Sequence, residues 1–146
     1  MRQDDSIGFI INQAGRRLSQ LLAIRFAAFD LTTEQWSVLS RLCEQDGTSQ
    51  KDLAVRVGKD QTNITRILDQ LERKKLAERR TNPDDRRSFY AFVTDAGRDL
   101  QGRLVPIEQE VLASVTEEIT EQQATILKEL LIRLTNKTNE LLQHYE

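Results

Sequence analysis

Apolar residues recur between Ile7 and Phe29 at Ile7, Ile10/Ile11, Ala14, Leu18, Leu21/Leu22 and Phe26, the spacing of an amphipathic helix of about six turns. Leu31-Thr32-Thr33-Glu34 is a break followed by a helix N-cap, and a second helix follows with Trp36, Leu39, Leu42 and Cys43 on one face. It is expected to end around Asp46-Gly47, because glycine just past the last turn is a common stop. Ser49, with Asp52 three residues on, has capping-box spacing and opens a short third helix that Gly58 ends. A fourth helix from about Asp60 carries Ile64, Ile67, Leu68 and Leu71 on one side and runs to Arg73-Lys74-Lys75.

Two short runs, 76 to 81 and 88 to 93, flank Asn82-Pro83-Asp84 and are able to pair as antiparallel strands. Proline presets its own φ, and the Asn and Asp side chains bond their own backbone, so the chain reverses there. Thr94 caps a long helix with Leu100, Leu104, Ile107, Val111 and Val115 on one face. Pro106 lies inside it, and the lost backbone bond predicts a kink or break near Arg103. Helical register restarts at Thr120-Glu121, with Leu127, Leu130, Leu131, Leu134, Leu141 and Leu142 in a near-heptad stripe. The pattern predicts a mostly α protein with a small antiparallel β-wing: a winged helix-turn-helix between long N- and C-terminal helices. Residues 31–94 form the expected DNA-binding domain, and 1–30 with 95–146 the expected dimerisation region. A compact module cannot cover a helix of about 24 residues, roughly 36 Å long, so the stripes call for a second copy of the chain.

Charge changes the picture by its distribution. The 146 residues carry a net −2, yet between Ser49 and Arg98 there are 12 Lys/Arg against 8 Asp/Glu. A basic middle between acidic flanks fits a polyanion-binding module. Composition excludes other classes: there is no paired nucleophile and base, no phosphate loop and no metal spacing, so neither enzyme activity nor a cofactor is expected. Cys43 is the single cysteine and the opening Met1-Arg2-Gln3-Asp4-Asp5 is followed by no long apolar run. A soluble protein of the reducing cytoplasm, with no membrane partner, is the expectation.

The outer face of the fourth helix holds Asp60, Gln61, Thr62, Asn63, Thr65 and Arg66. Amide, hydroxyl and guanidinium groups suit base-edge readout in double-stranded DNA, although Asp60, Thr62 and Asn63 also suit plain capping. Lys51, Arg56, Lys59, Arg73 and Lys74 flank that helix as candidates for phosphate contacts, a role Arg66 could share. At the hairpin, Asp85 can pair with Arg87 and orient its guanidinium, leaving the field of Arg86 intact; otherwise these charges solvate a turn. Phe89, Tyr90 and Phe92 are expected to pack the strand on the core and on cross-strand neighbours. Cys43, with no basic side chain locally placed, is expected to be a buried structural thiol, and His144 a surface residue.

Pro83-Asp84-Asp85-Arg86-Arg87, five residues, then Val93-Thr94-Asp95-Ala96-Gly97 resembles the wing signature Asp-x-Arg, five residues, Leu-Thr-x-x-Gly of the MarR family of bacterial transcriptional regulators. Leu31 to Leu39 is similar to that family's second-helix opening, and Asp52-Leu53-Ala54 with Thr65 to Glu72 to its third and fourth helices. The resemblance implies a homodimer on pseudo-palindromic operators, usually a repressor, with Arg87 in the minor groove and Asp85 beside it. In many members a small amphipathic or phenolic effector binds between the dimerisation helices and the DNA module. Others sense oxidants through a cysteine near the start of the first helix, where this chain has none. The runner-up is a winged-helix module docking protein or RNA, whose fourth helix would carry an apolar outer face. Two positions depart from the family: Val93 replaces leucine, and Lys75 stands where glycine is common, so Lys75 is expected in a left-handed or altered cap.

Overall fold

A computed structural model of the protein describes residues 6–145. Residues 1–5 and 146, at the outer edges of the expected dimerisation segments, lie outside the described residues. The chain divides into two compact units, one ending at Glu108 and one beginning at Gln109.

The first unit opens with α1 (Ile7–Phe26), capped by Ser6 and continued by a 3-10 turn over Ala27–Phe29. Asp30 then takes a left-handed φ of 53° and turns the chain into α2 (Thr33–Glu44). Thr32 and Gln35 form a reciprocal capping box at its start. α2 stops at Glu44, two residues earlier than Asp46. Gly47, at φ +74°, starts the sheet instead, its N–H donating to the Ala91 carbonyl at 3.0 Å. β1 (Thr48–Ser49) follows, then α3 (Gln50–Val57) and α4 (Gln61–Arg73), joined through Gly58 at φ +76°. That left-handed cap lets the Gly58 N–H close α3 onto Ala54 and Val55, after which Asp60 caps α4.

α4 buries Ile64, Ile67, Leu68 and Leu71 completely, packing them with Leu39, Leu42 and Leu53 in one core cluster. β2 (Ala77–Asn82) and β3 (Asp85–Val93) form the hairpin, and β1 pairs with the far side of β3, giving the antiparallel order β1-β3-β2. The registers Thr48↔Ala91 and Ala77↔Val93 set Ala91 and Val93 into the core. The aromatics are thus placed differently from a simple core strand. Phe89 is exposed and lies near Arg79, and Phe92 carries the Arg80 guanidinium 4.3 Å from its ring centre.

Lys75 adopts φ +63° between α4 and β2, the left-handed cap that its place in the sequence requires. The Thr94 hydroxyl closes the same junction, donating to the Lys75 carbonyl at 2.8 Å and accepting from the Gly97 N–H at 3.0 Å. α5 (Asp95–Val115) starts there and runs through Pro106 without a break. Pro106 and Gly102 are both exposed, so the Gly102 carbonyl that loses its helical donor faces water, and the expected break falls instead after Val115.

The second unit holds the end of α5 and α6 (Glu121–Leu142), with the Thr120–Gln123 capping box at its start. None of the 22 residues of α6 is buried, and Leu127, Leu130, Leu131, Leu134, Leu141 and Leu142 are each at least 40% exposed. α1 shows the same pattern by itself: only Phe26 is buried, while Ile7, Ile10, Ile11 and Leu21 are exposed.

Candidate nucleic-acid interface

On α4 the candidate base-reading residues occupy the side opposite its buried leucines and isoleucines. Asp60, Gln61, Thr62 and Arg66 are exposed, and Asn63 and Thr65 are half-buried. Asp60 works as a cap, accepting from the Asn63 N–H at 2.8 Å and from the Asn63 side-chain amide at 3.2 Å. Thr65 donates its hydroxyl to the Gln61 carbonyl at 2.9 Å and accepts from Gln50 Nε2 at 2.6 Å. Arg66 is held by Glu34 of α2, Nη2 to Oε2 at 2.8 Å, with Asn63 Oδ1 3.4 Å away. The Arg66 hydrogen bond holds the Glu34 carboxyl below its ordinary range; burial opposes this and the Lys59 charge adds to it.

The wing tip is built by short-range side-chain bonds. Asn82 Oδ1 accepts from the Asp84 N–H at 2.9 Å, and the Asn82 amide donates to Ser88 Oγ at 3.1 Å. Asp85, Arg86 and Arg87 are all exposed. The pairing expected between Asp85 and the Arg87 guanidinium takes another form. Asp85 Oδ1 accepts from the Arg87 backbone N–H at 3.0 Å, a bond two residues long that suits the reach of an aspartate. Asp85 therefore shapes the backbone under the arginine and leaves its guanidinium outward.

The phosphate candidates separate by their present partners. Lys51 and Arg73 are exposed, and Arg73 makes a 3.4 Å contact from Nε to the Asp69 carbonyl. Arg56 bonds Glu44 at 3.0 Å and Gln45 at 3.1 Å, and Lys59 is half-buried. Lys74 is drawn inward: its ammonium bonds the Asp30 carbonyl and Gln35 Oε1, the latter at 2.8 Å. Gln35 is itself buried and passes the chain on to Gln70 at 3.0 Å.

Sequence reasoning missed the residues that join these pieces. Arg79 of β2 grips the α4 side chains Asp69 and Glu72, the latter at 2.6 Å, and so fastens the wing base to α4. Burial opposes the charge of Arg79, but the bonds to Glu72 and Asp69 outweigh it and hold its pKa above the ordinary value. Glu34 and Gln50 likewise reach the outer face of α4 from neighbouring helices. None of the three has a local signal, since each partner lies 7 to 32 residues away. Behind the site, Trp36 Nε1 donates to Glu108 Oε2 at 2.7 Å and ties α2 to α5. Burial pushes the Cys43 thiol up, with the Arg98 charge opposing. Among the described residues no group of His, Cys, Asp and Glu is placed to hold a metal ion, and no helix is long and apolar enough to cross a membrane.

The model of the MarR family matches residues 31–89, from just before α2 to the middle of β3. The transcriptional regulator SarZ of Staphylococcus saprophyticus is 32% identical over 109 residues, covering 75% of this chain and 73% of that protein. A probable transcriptional regulator from Pseudomonas aeruginosa superposes with a TM-score of 0.82 at 30% identity, covering 91% of this chain and 99% of the other. MepR of S. aureus, solved as a DNA complex, matches with a TM-score of 0.82 over 90% of this chain and 98% of its own; at 24% identity that likeness is one of fold.

Proposed function

The chain belongs to the MarR family, whose members are transcriptional regulators and not enzymes, and on that premise we propose that it is a homodimeric repressor of pseudo-palindromic operators in double-stranded DNA. α4 enters the major groove with Gln61, Thr62, Asn63, Thr65 and Arg66 toward the bases, and Asp60 caps its leading end. The wing carries Arg87 into the flanking minor groove with Arg86 beside it, because a narrow groove concentrates negative potential that a guanidinium meets. Lys51, Arg56, Lys59 and Arg73 reach phosphates, and Lys74 does so only by leaving Asp30 and Gln35. Residues 1–30 and 95–146 form the dimerisation region, and 31–94 the DNA-binding domain. A small amphipathic or phenolic effector releases the protein from DNA.

One observation carries the reading. α4 buries four apolar side chains fully, and among the described residues no exposed large apolar residue lies on it. A helix that docked a protein would show an apolar outer face; this one shows amide, hydroxyl and guanidinium groups. The exposed isoleucines and leucines of α1 and, separately, of α6 support pairing with a second copy.

Selection of bound fragments from random duplexes tests the proposal. A single palindromic motif should be enriched, with affinity falling by about 0.9 in log K per phosphate contact as log salt rises. Arg87→Ala should weaken binding chiefly where A/T pairs flank the half-sites. Absence of any enriched motif, with the Arg87 variant binding as tightly as wild type, would exclude sequence-specific binding. Repeating the selection with phenolic compounds identifies the releasing class.

A further inference from the structure

The hydroxyl of Thr65 is already occupied. A threonine hydroxyl has one proton to donate and accepts through its lone pairs. Here the proton goes to the Gln61 carbonyl at 2.9 Å and a lone pair takes the Gln50 Nε2–H at 2.6 Å. The first bond lies along the helix and the second comes from α3, so the oxygen is turned back into the helix-turn-helix. With its proton spent and one of its two lone pairs taken, the side chain offers its methyl as the group held by no bond to whatever lies against α4.

Gln50 gives the second observation. Its Oε1 is buried, with no hydrogen-bond partner among the described residues. Among the described residues its amide bonds Thr65, Nε2 to Oγ1 at 2.6 Å. That bond joins α3 to α4 and fixes the Thr65 hydroxyl.

We propose that Thr65 recognises the 5-methyl group of a thymine through its own methyl, and that Gln50 is the positioning residue that enforces this by occupying the hydroxyl. The inference rests on α4 entering the major groove, where thymine is the base that presents a methyl. With these bonds in place, Thr65 cannot donate to N7 or O6 of guanine without giving up its bond to Gln61, and Gln50 already takes one of its two acceptor lone pairs. A nominally polar position thus reads as apolar.

The test replaces thymine by deoxyuridine, one position at a time, in the duplex that the wild-type protein selects. One thymine per half-site should be sensitive, its loss weakening wild-type binding roughly three- to fivefold, the scale of one buried methyl. Thr65→Ser, which keeps the hydroxyl and drops the methyl, should bind the thymine and deoxyuridine duplexes equally. Thr65→Val leaves the Gln50 amide without its acceptor, so it is paired with Gln50→Leu. This double variant should keep the wild-type thymine to deoxyuridine ratio. Gln50→Leu alone should lower that ratio and broaden preference at that base pair while the fold, by circular dichroism and melting, stays intact. The proposal is overturned if no thymine is sensitive, or if Thr65→Ser behaves as wild type while the double variant loses the preference. If the wild type enriches no sequence at all, the major-groove reading of α4 fails and takes this inference with it.

Discussion

Alanine at Gly97 is expected to destabilise the protein by about 3 kcal/mol, the upper part of the range for overpacking a close-fitted site. A Cβ built there falls against the Leu76 carbonyl oxygen, 2.8 Å from Val93 Cγ2 and 3.2 Å from the Leu76 carbonyl carbon. The nearest obstacle is backbone, and it cannot step aside cheaply, because Leu76 O accepts the Thr94 N–H at 3.1 Å and Thr94 closes the same junction onto Lys75. The first turn of α5 must therefore shift away from the wing base. For a chain of this size a loss of about 3 kcal/mol lowers Tm by roughly 6–12 °C. Gly102 is the internal control. It lies in the same helix, is exposed, and has nothing within 4 Å of an added Cβ. Gly102→Ala should stabilise by about 0.5–1 kcal/mol through helix propensity alone. Urea titrations of both variants and wild type at one protein concentration, which holds the contribution of association fixed, decide the matter. Equal effects at the two positions, or a Gly97 variant within about 0.5 kcal/mol of wild type, would refute the steric argument.

Arg79→Met removes the cation between Asp69 and Glu72, whose side chains are 46% and 35% exposed, so solvent screening limits the loss to about 1–2 kcal/mol. Amide exchange in β2 should accelerate while that in α2 is unchanged; uniform exchange across both would show that Arg79 does not anchor the wing. Glu108→Ala strands the indole N–H of the nearly buried Trp36, with an expected loss of about 1–3 kcal/mol, and Glu108→Gln should recover most of it. Trp36 is the only tryptophan, so its emission reports both variants directly. The Glu34–Arg66 bond predicts a pH effect: the folded pKa of Glu34 is depressed, so its stabilisation is complete above the unfolded value of about 4.5 and disappears as pH falls through the lower folded value. Both partners are nearly half exposed, which keeps the effect below about 1 kcal/mol. The advantage of wild type over Glu34→Gln in urea midpoint should be full near pH 6 and shrink as pH falls below about 4.5; a constant difference would show that the carboxylate charge is not its source.

The elements of the fold were legible wherever a signal acts within a few residues. Thr32, Asp60 and Thr120 cap the helices they were expected to open, Gly58 ends α3, and Asn82-Pro83-Asp84 reverses the hairpin. Lys75 shows its left-handed backbone as the missing glycine implied. β1 was not legible, since two residues become a strand only by pairing with β3 more than forty positions later. The same holds for Asp46, whose carboxylate accepts the Val93 N–H at 2.8 Å across 47 positions.

The candidate interface divides along the same line. Sequence by itself determined the helices and the hairpin, the apolar side of α4 and the polar identity of its outer side, because helix period and capping are properties of neighbouring residues. It could not assign the state of each polar group. Only the tertiary structure decided that Lys74 turns inward to Asp30 and Gln35, that Glu34 holds Arg66, that Asp85 bonds the Arg87 backbone, and that Gln50 occupies the Thr65 hydroxyl. A hydrogen bond forms only within about 3 Å, and which groups reach that distance is set by how helices remote in sequence pack together.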